Sequence, residues 1–323
     1  MSALTDFDGS PDTGAAKLVN LQVSNWTIRT APTGNWTGIA WNGTVFAAVS
    51  NIGASGRAMT SPDGITWTLR TAATLNGWSG VAWNGTVFAA VSSNSDGSAD
   101  RVMTSPDGIT WTTRTTPAEI EWAAIAWNGT VFAAVSRSGT TNRAMTSPDG
   151  TTWTIRTTPN LSFRAIAWNG TVFAAGGDTG AIMTSPDGTT WTSRTSGTTD
   201  GIYGISWNGT VFAAVTRTGG NVVTSPDGTT WTVRSAADSS DWRTMAWNGT
   251  VFVSTANGGQ VMSSPDGTTW TLRTSAGPST WFSLAWNGLG TGTTLLLPTA
   301  GSGTTFVAAA NAEAMNSLFL KDE

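Results

Sequence analysis

The apolar positions of this chain fall into short runs separated by polar turns, and the same arrangement recurs along its length. One unit can be read over residues 78–115. Trp78–Trp83 reads as a first short strand. Thr86–Ser92 (TVFAAVS) reads as a second, apolar on both faces, as suits a strand held between neighbouring layers. Asn84-Gly85 between them is expected to form a two-residue hairpin turn with positive φ at both central residues. Ser93–Asp100 is a polar loop whose length varies between units, and Arg101–Thr104 is a third strand. Pro106-Asp107-Gly108 carries the next turn: proline fixes φ, aspartate favours the turn and glycine takes the left-handed position. Trp111–Thr115 is the fourth strand. No segment shows a helical period long enough to compete.

Two motifs mark the unit. Trp-Asn-Gly occurs seven times, beginning at Trp41, Trp83, Trp127, Trp168, Trp207, Trp247 and Trp286. Trp-Thr-x-Arg also occurs seven times, and all but the first copy follow Ser-Pro-Asp-Gly. Four antiparallel strands in about 40 residues make a propeller blade, because one blade cannot bury both its apolar faces and must stack on others around an axis. A linear β-solenoid is the competing architecture, disfavoured by two hairpins per unit. The expected fold is therefore all-β: a seven-bladed propeller of four-stranded blades over residues 21–317, between an N-terminal arm (1–20) and a tail (318–323). The chain opens with an orphan fourth-strand motif, Trp26–Thr30, and its last unit lacks one, so the N-terminal strand is expected to close the ring by joining the C-terminal blade. The third strand of that blade is either Thr304–Ala309 or Glu313–Ser317.

Composition narrows the chemistry. Of 323 residues 11% are charged, the net charge is −4, and 19 are tryptophan. No basic face points to nucleic acid. With no Cys and no His, thiolate chemistry and metal sites needing sulfur or imidazole are excluded, and no cofactor is expected. No apolar run suits a membrane span, so no membrane insertion is expected. The start, MSALTDFDGS, lacks the apolar core of a signal peptide.

Ser-Pro-Asp-Gly-x-Thr-Trp resembles the Asp-box of BNR-type propellers, Ser-x-Asp-x-Gly-x-Thr-Trp, one residue shorter between Asp and Gly. The resemblance covers six units. It implies that Asp63, Asp107, Asp149, Asp187, Asp227 and Asp266 are turn residues remote from any ligand. Sialidases of that family use a tyrosine nucleophile with a glutamate, an aspartate acid/base and three arginines clamping a carboxylate. This chain has one tyrosine, Tyr203, and few glutamates, while the arginines of Trp-Thr-x-Arg recur in every unit as a scaffold feature would. Asp178, Asp200 and Asp241 lie in variable loops, but no catalytic pair stands out. The expectation is a protein that is not an enzyme.

Five residues before each Trp-Asn-Gly stands a further large residue: Trp36, Trp78, Trp122, Phe163, Ile202, Trp242 and Trp281. Two readings stand. These residues pack between blades as core, or the six aromatic ones form an exposed ring beside the variable loops and stack on sugars. On the second reading Trp36, Trp78, Trp122, Phe163, Trp242 and Trp281 are the ligand-binding residues. The expected function is a binding or adhesion module for surface glycans or another cell-surface receptor; the alternative is a structural or protein–protein scaffold. The motifs resemble those of propeller proteins of bacteriophages and bacteria, which implies a virion or cell-surface setting, with residues 1–20 contacting other virion proteins. Outside a virion the expected setting is the cytoplasm.

Overall fold

The computed structural model describes residues 26–29, 31–32, 34–51, 57–93, 100–274, 281–286, 294–298 and 306–309. The expected arm (1–20), the tail (318–323) and the segment Glu313–Ser317 lie outside them.

Six blades share one plan. Each contains four antiparallel strands that are consecutive in the chain and neighbours in the sheet. The inner strands are Trp36–Trp41, Trp78–Trp83, Trp122–Trp127, Phe163–Trp168, Ile202–Trp207 and Trp242–Trp247. The outer strands begin one residue after the tryptophan of Trp-Thr-x-Arg, as at Thr68–Thr71 and Thr112–Arg114. The remaining strands make a four-stranded sheet of different construction, drawn from both ends of the chain: Trp281–Trp286, Thr294–Pro298, Phe306–Ala309 and Trp26–Arg29. Its first strand lies against the inner strands of the first and sixth blades. The expectation of a seven-bladed propeller is corrected to six four-stranded blades of one plan. Six blades are alike and contiguous in sequence, and the seventh sheet is composite. Its middle strands pair at only Leu295↔Ala308 and Leu296↔Val307, and no Ser-Pro-Asp-Gly turn joins its last two strands. Of the two segments expected as its third strand, Phe306–Ala309 fills the place, pairing with Trp26–Arg29.

The second strands carry the core. Phe88–Ser92 and its counterparts are buried along their whole length, and each alternate side chain enters a different inter-blade cluster. Ala89 and Val91 pack with Trp122 and Phe132 of the next blade, while Phe88 and Ala90 share a cluster with Ala47 and Val49 of the preceding one. This double burial is what the apolar run on both faces requires.

The hairpin turns are built by side chains. Asn84 Oδ1 accepts from the Thr86 N–H, the Thr86 hydroxyl and the Val87 N–H at 2.7–2.9 Å, and the Asn84 N–H donates to the Val87 carbonyl. Trp83 pairs with Phe88. The turn therefore spans four residues, not two. Only Gly85 is left-handed (φ +97°), because the asparagine works as a hydrogen-bond acceptor from ordinary φ. In the outer turn the Ser105 hydroxyl accepts from the Gly108 N–H at 2.8 Å and donates to Asp107, whose Oδ1 accepts two further backbone N–H groups. Trp111 Nε1 donates to the Gly108 carbonyl at 2.9 Å. Arg114 Nε then bonds Thr104 Oγ1 at 3.0 Å across the outer strand pair. Equivalent bonds from Arg70, Arg156, Arg194, Arg234 and Arg273 make these arginines scaffold.

Candidate binding site at the axial mouth

Each inner strand opens with a bulge. Trp78 pairs with Ser92 and Gly80 with Val91, so Ser79 is an extra, unpaired residue, and the same shift recurs in the other five blades. A bulge re-aims the side chains on either side of it. Here the large residue before the bulge turns into the inter-blade core and the bulged residue faces the axis.

The exposed-ring reading of the aromatic residues is corrected by this geometry. Trp36 is 1% exposed, and Trp78, Trp122, Phe163 and Trp242 are 0% exposed. Each joins a core cluster; Trp78, for example, lies with Ala47 and Val49 of the preceding blade. Trp36 Nε1 donates to the Pro32 carbonyl at 3.0 Å and Trp242 Nε1 to the Asp238 carbonyl at 3.3 Å, both inside the fold. None of the five offers a face to a sugar. The side chain of Trp281 lies outside the described residues.

The axis is lined instead by the bulged residues, Thr37, Ser79, Ala123, Arg164, Tyr203 and Arg243, around a cavity of about 390 Å³. Two further positions meet them at the same end. The N–H of the residue after each second strand donates to the carbonyl of the residue before each inner strand: Asn51 to Asn35, Ser93 to Gly77, Arg137 to Glu121, Asp178 to Ser162, Arg217 to Gly201 and Asn257 to Asp241. This one backbone bond, repeated in six blades, ties the variable loops to the mouth.

Side chains at these positions are all neutral in the first two blades, and each of the next four carries at least one charge. Tyr203 sits at the centre of the charged arc. The guanidinium carbons of Arg164, Arg243 and Arg217 lie 4.6, 5.2 and 5.6 Å from its ring centroid, within cation–π range. Arg217 Nη1 donates to the Tyr203 hydroxyl at 3.3 Å. Carboxylates behind the arc orient it. Asp178 accepts a two-pronged contact from Arg164, 2.5 Å from Nε and 3.1 Å from Nη2. Asp241 pairs with Arg243 Nη2 and lies 3.7 Å from Arg217 Nε. Glu121 lies 3.5 Å from Arg137 Nε. Burial opposes ionisation of Asp178, but hydrogen bonds from Arg164 and Ser162 and the charges of Arg164 and Arg137 outweigh it and hold the carboxyl below its usual range. Asp178 is thus a fixed anion and not a proton donor. Arg217 is pushed above its usual range, first by its bond to Tyr203 and then by the charges around it.

Four guanidiniums face three carboxylates in this arc. The buried Arg243 Nε makes no hydrogen bond among the described residues. The arrangement suits an incoming anion: oriented donors and room in front of them. The sequence signal lay one residue beyond the aromatic position. In register with Trp-Asn-Gly, position two of the inner strand reads Thr, Ser, Ala, Arg, Tyr, Arg through six blades. The fifth unit, with Ile202 and Tyr203, shows a break in the aromatic series, but Arg164 and Arg243 beside it are legible only once the bulge is known.

The DUF6242 beta propeller domain family matches residues 118–242, a span that includes every member of the arc except Arg243. No curated protein matches the chain. Among solved structures, YCF48 from Cyanidioschyzon merolae aligns with a TM-score of 0.66 at 16% identity, over 88% of this chain and 98% of that one. YCF48 bound to D1 peptide aligns at 0.67 and 16% identity, over 88% and 97%. A catalytically inactive virginiamycin B lyase from Staphylococcus aureus with quinupristin aligns at 0.73 and 11% identity, over 88% and 100%. At these identities the likeness establishes the fold. The chain is a β-propeller related to other propeller domains, and its family match is to DUF6242 and not to an Asp-box family.

Proposed function

We propose that this protein is a binding module, not an enzyme, whose ligand presents an anionic group to the arginine arc at the axial mouth. The observation that carries the reading is the break in symmetry. A scaffold that repeats its turns, its core and its outer-strand arginines places three guanidiniums, those of Arg137, Arg164 and Arg243, on one side of one cavity, with Arg217 beside Tyr203. A scaffold protein without a ligand gives no reason for that grouping. Catalysis by paired acids is not favoured, because Asp178 is committed to Arg164 and held ionised. A glycan fits this site as an acidic sugar engaging the arc, with Ser93 and the Asn51 amide lining the opposite side of the cavity. A neutral glycan stacked on aromatic rings does not fit it.

The test is calorimetric titration of the full chain with glucuronate, acetate and hexanoate beside their uncharged counterparts glucose and hexanol, repeated on Arg164→Ala and Arg243→Ala. Binding of at least one carboxylate, weakened tenfold or more by either substitution, is expected; an exposed charged hydrogen bond of about 1.5–3 kcal/mol corresponds to that loss or more. No arginine-dependent binding of any carboxylate would overturn the reading.

A further inference from the structure

Two residues deeper along the inner strands, the lining of the cavity changes character. Below the bulged residues stand Ile39, Val81, Ile125, Ile205, Met245 and Leu284, all facing the same cavity and each 7–9% exposed. These side chains form an aliphatic collar, and the tryptophans of Trp-Asn-Gly beyond it do not line the cavity. The space in front of the arc is thus cationic on one side of its rim, hydroxyl- and amide-bearing on the other, and aliphatic at the deepest residues that line it, its floor. Its volume of about 390 Å³ falls in the range of roughly 300–1,000 Å³ common for small-molecule clefts.

We infer that the ligand is an amphipathic monocarboxylate, with its carboxylate on Arg164 and Arg243 and a compact hydrocarbon group directed down the axis onto the collar. This rests on the anion-binding reading above and specifies its ligand. The geometry sets the polarity of the molecule. Guanidiniums are present only at the rim and aliphatic carbons at the floor, so a ligand using both places its charge outward and its apolar end inward. It also sets the length. Two residues of strand rise about 6.5 Å, which a chain of about five carbons spans at ~1.5 Å per bond, shortened by its zigzag. A polyhydroxylated acid of the same size would bring hydroxyls against Val81 and Ile125, which neither accept nor donate, with only Thr244 and Ser283 at that depth to replace its hydrogen bonds to water. The floor therefore selects between two carboxylates that the rim alone would treat alike.

The experiment is a homologous series, acetate, butanoate, hexanoate and octanoate, titrated into the full chain by calorimetry, with glucuronate and hexanol as controls. Each added methylene up to hexanoate is expected to tighten binding about fourfold, the equivalent of ~0.8 kcal/mol per buried CH₂. Octanoate should gain less, because its tail outruns the floor. Glucuronate should bind at least tenfold more weakly than hexanoate. Val81→Thr should flatten the chain-length dependence, and Arg164→Ala should weaken every carboxylate in the series. Affinity independent of chain length, or glucuronate equal to hexanoate, with the Arg164 dependence intact, would overturn the amphipathic ligand and leave the anion site standing. Loss of the Arg164 dependence throughout would remove both.

Discussion

Replacing Trp122 by alanine measures how strongly neighbouring blades adhere. The indole is fully buried and shares a cluster with Ala89, Val91 and Val102 of the second blade and Ile125, Phe132 and Met145 of the third. Its Nε1 has no hydrogen-bond partner among the described residues, so the loss is one of packing alone. Trp→Ala in a core costs about 3–5 kcal/mol, the transfer energy plus that of the cavity left between rigid sheets. Against a total of about 5–15 kcal/mol for a native domain, that is a large share. Trp122→Phe should cost far less, about 1 kcal/mol. It keeps an aromatic ring, removes an N–H with nothing to bond, and reproduces what Phe163 does at the same position one blade on. Urea denaturation followed by far-ultraviolet circular dichroism gives both values from the shift in midpoint. A cost of about 0.5 kcal/mol or less for the alanine variant, the range of surface substitutions, would mean that the indole is not clamped between blades, and the burial argument would fail with it.

The outer turns predict acid sensitivity. Hydrogen bonds from the Thr151 hydroxyl and N–H hold Asp149 at about 2; at Asp266 burial opposes ionisation, but bonds from Thr268 and Thr269 also bring it to about 2. Both are depressed, so their stabilisation is complete above the ordinary value of 3.8 and is lost as pH falls from there towards 2. Melting temperatures recorded from pH 5 to pH 2 should drop across that window, and less steeply for Asp149→Asn with Asp266→Asn; equal slopes would refute the assignment. Gly108→Ala should cost more than Gly85→Ala, although both glycines have positive φ. A Cβ at Gly108 would lie 3.0 Å from Thr60 Cγ2 and 3.1 Å from Ala47 Cβ, whereas one at Gly85 meets nothing within 4 Å. Left-handed strain of about 1–2 kcal/mol is common to both, so the difference in urea midpoint isolates the crowding, and equal midpoints would rule it out.

The architecture was legible because its determinants are local. A turn fixed by Asn84 accepting three bonds, or by Ser105 and Asp107 sharing four, needs only residues within three positions of one another. Repetition then makes such a turn conspicuous. The turn is longer than Asn-Gly alone implies for a related reason: Asn-Gly suits a two-residue hairpin, but the threonine and valine that follow give Asn84 a set of donors that favours the longer turn. The site was not legible, because it depends on a single unpaired residue. The bulge at Ser79 and its counterparts puts Trp78 and Val81 into one inter-blade cluster, and no motif in the chain marks it. Nor does spacing in the chain reveal that Arg137, Arg164, Tyr203, Arg217 and Arg243, spread over four blades, converge on one ring. That convergence belongs to the circular arrangement of the blades.

The backbone bond that joins the residue after each second strand to the residue before each inner strand is indifferent to the side chains it carries: asparagine, serine, arginine and aspartate all donate through it, and glycine, glutamate, serine and aspartate all accept. At the residue after each second strand, recognition is thereby uncoupled from folding. The mouth behaves there as a set of interchangeable sockets with a common mount, whereas the bulged position is tied to the scaffold wherever its hydroxyl bonds the next blade, as Ser79 does to the Trp122 carbonyl. A lineage that multiplies such blades by duplication inherits the mount in every copy, and acquires new specificity by rewriting the residue it carries while the turns beneath remain untouched.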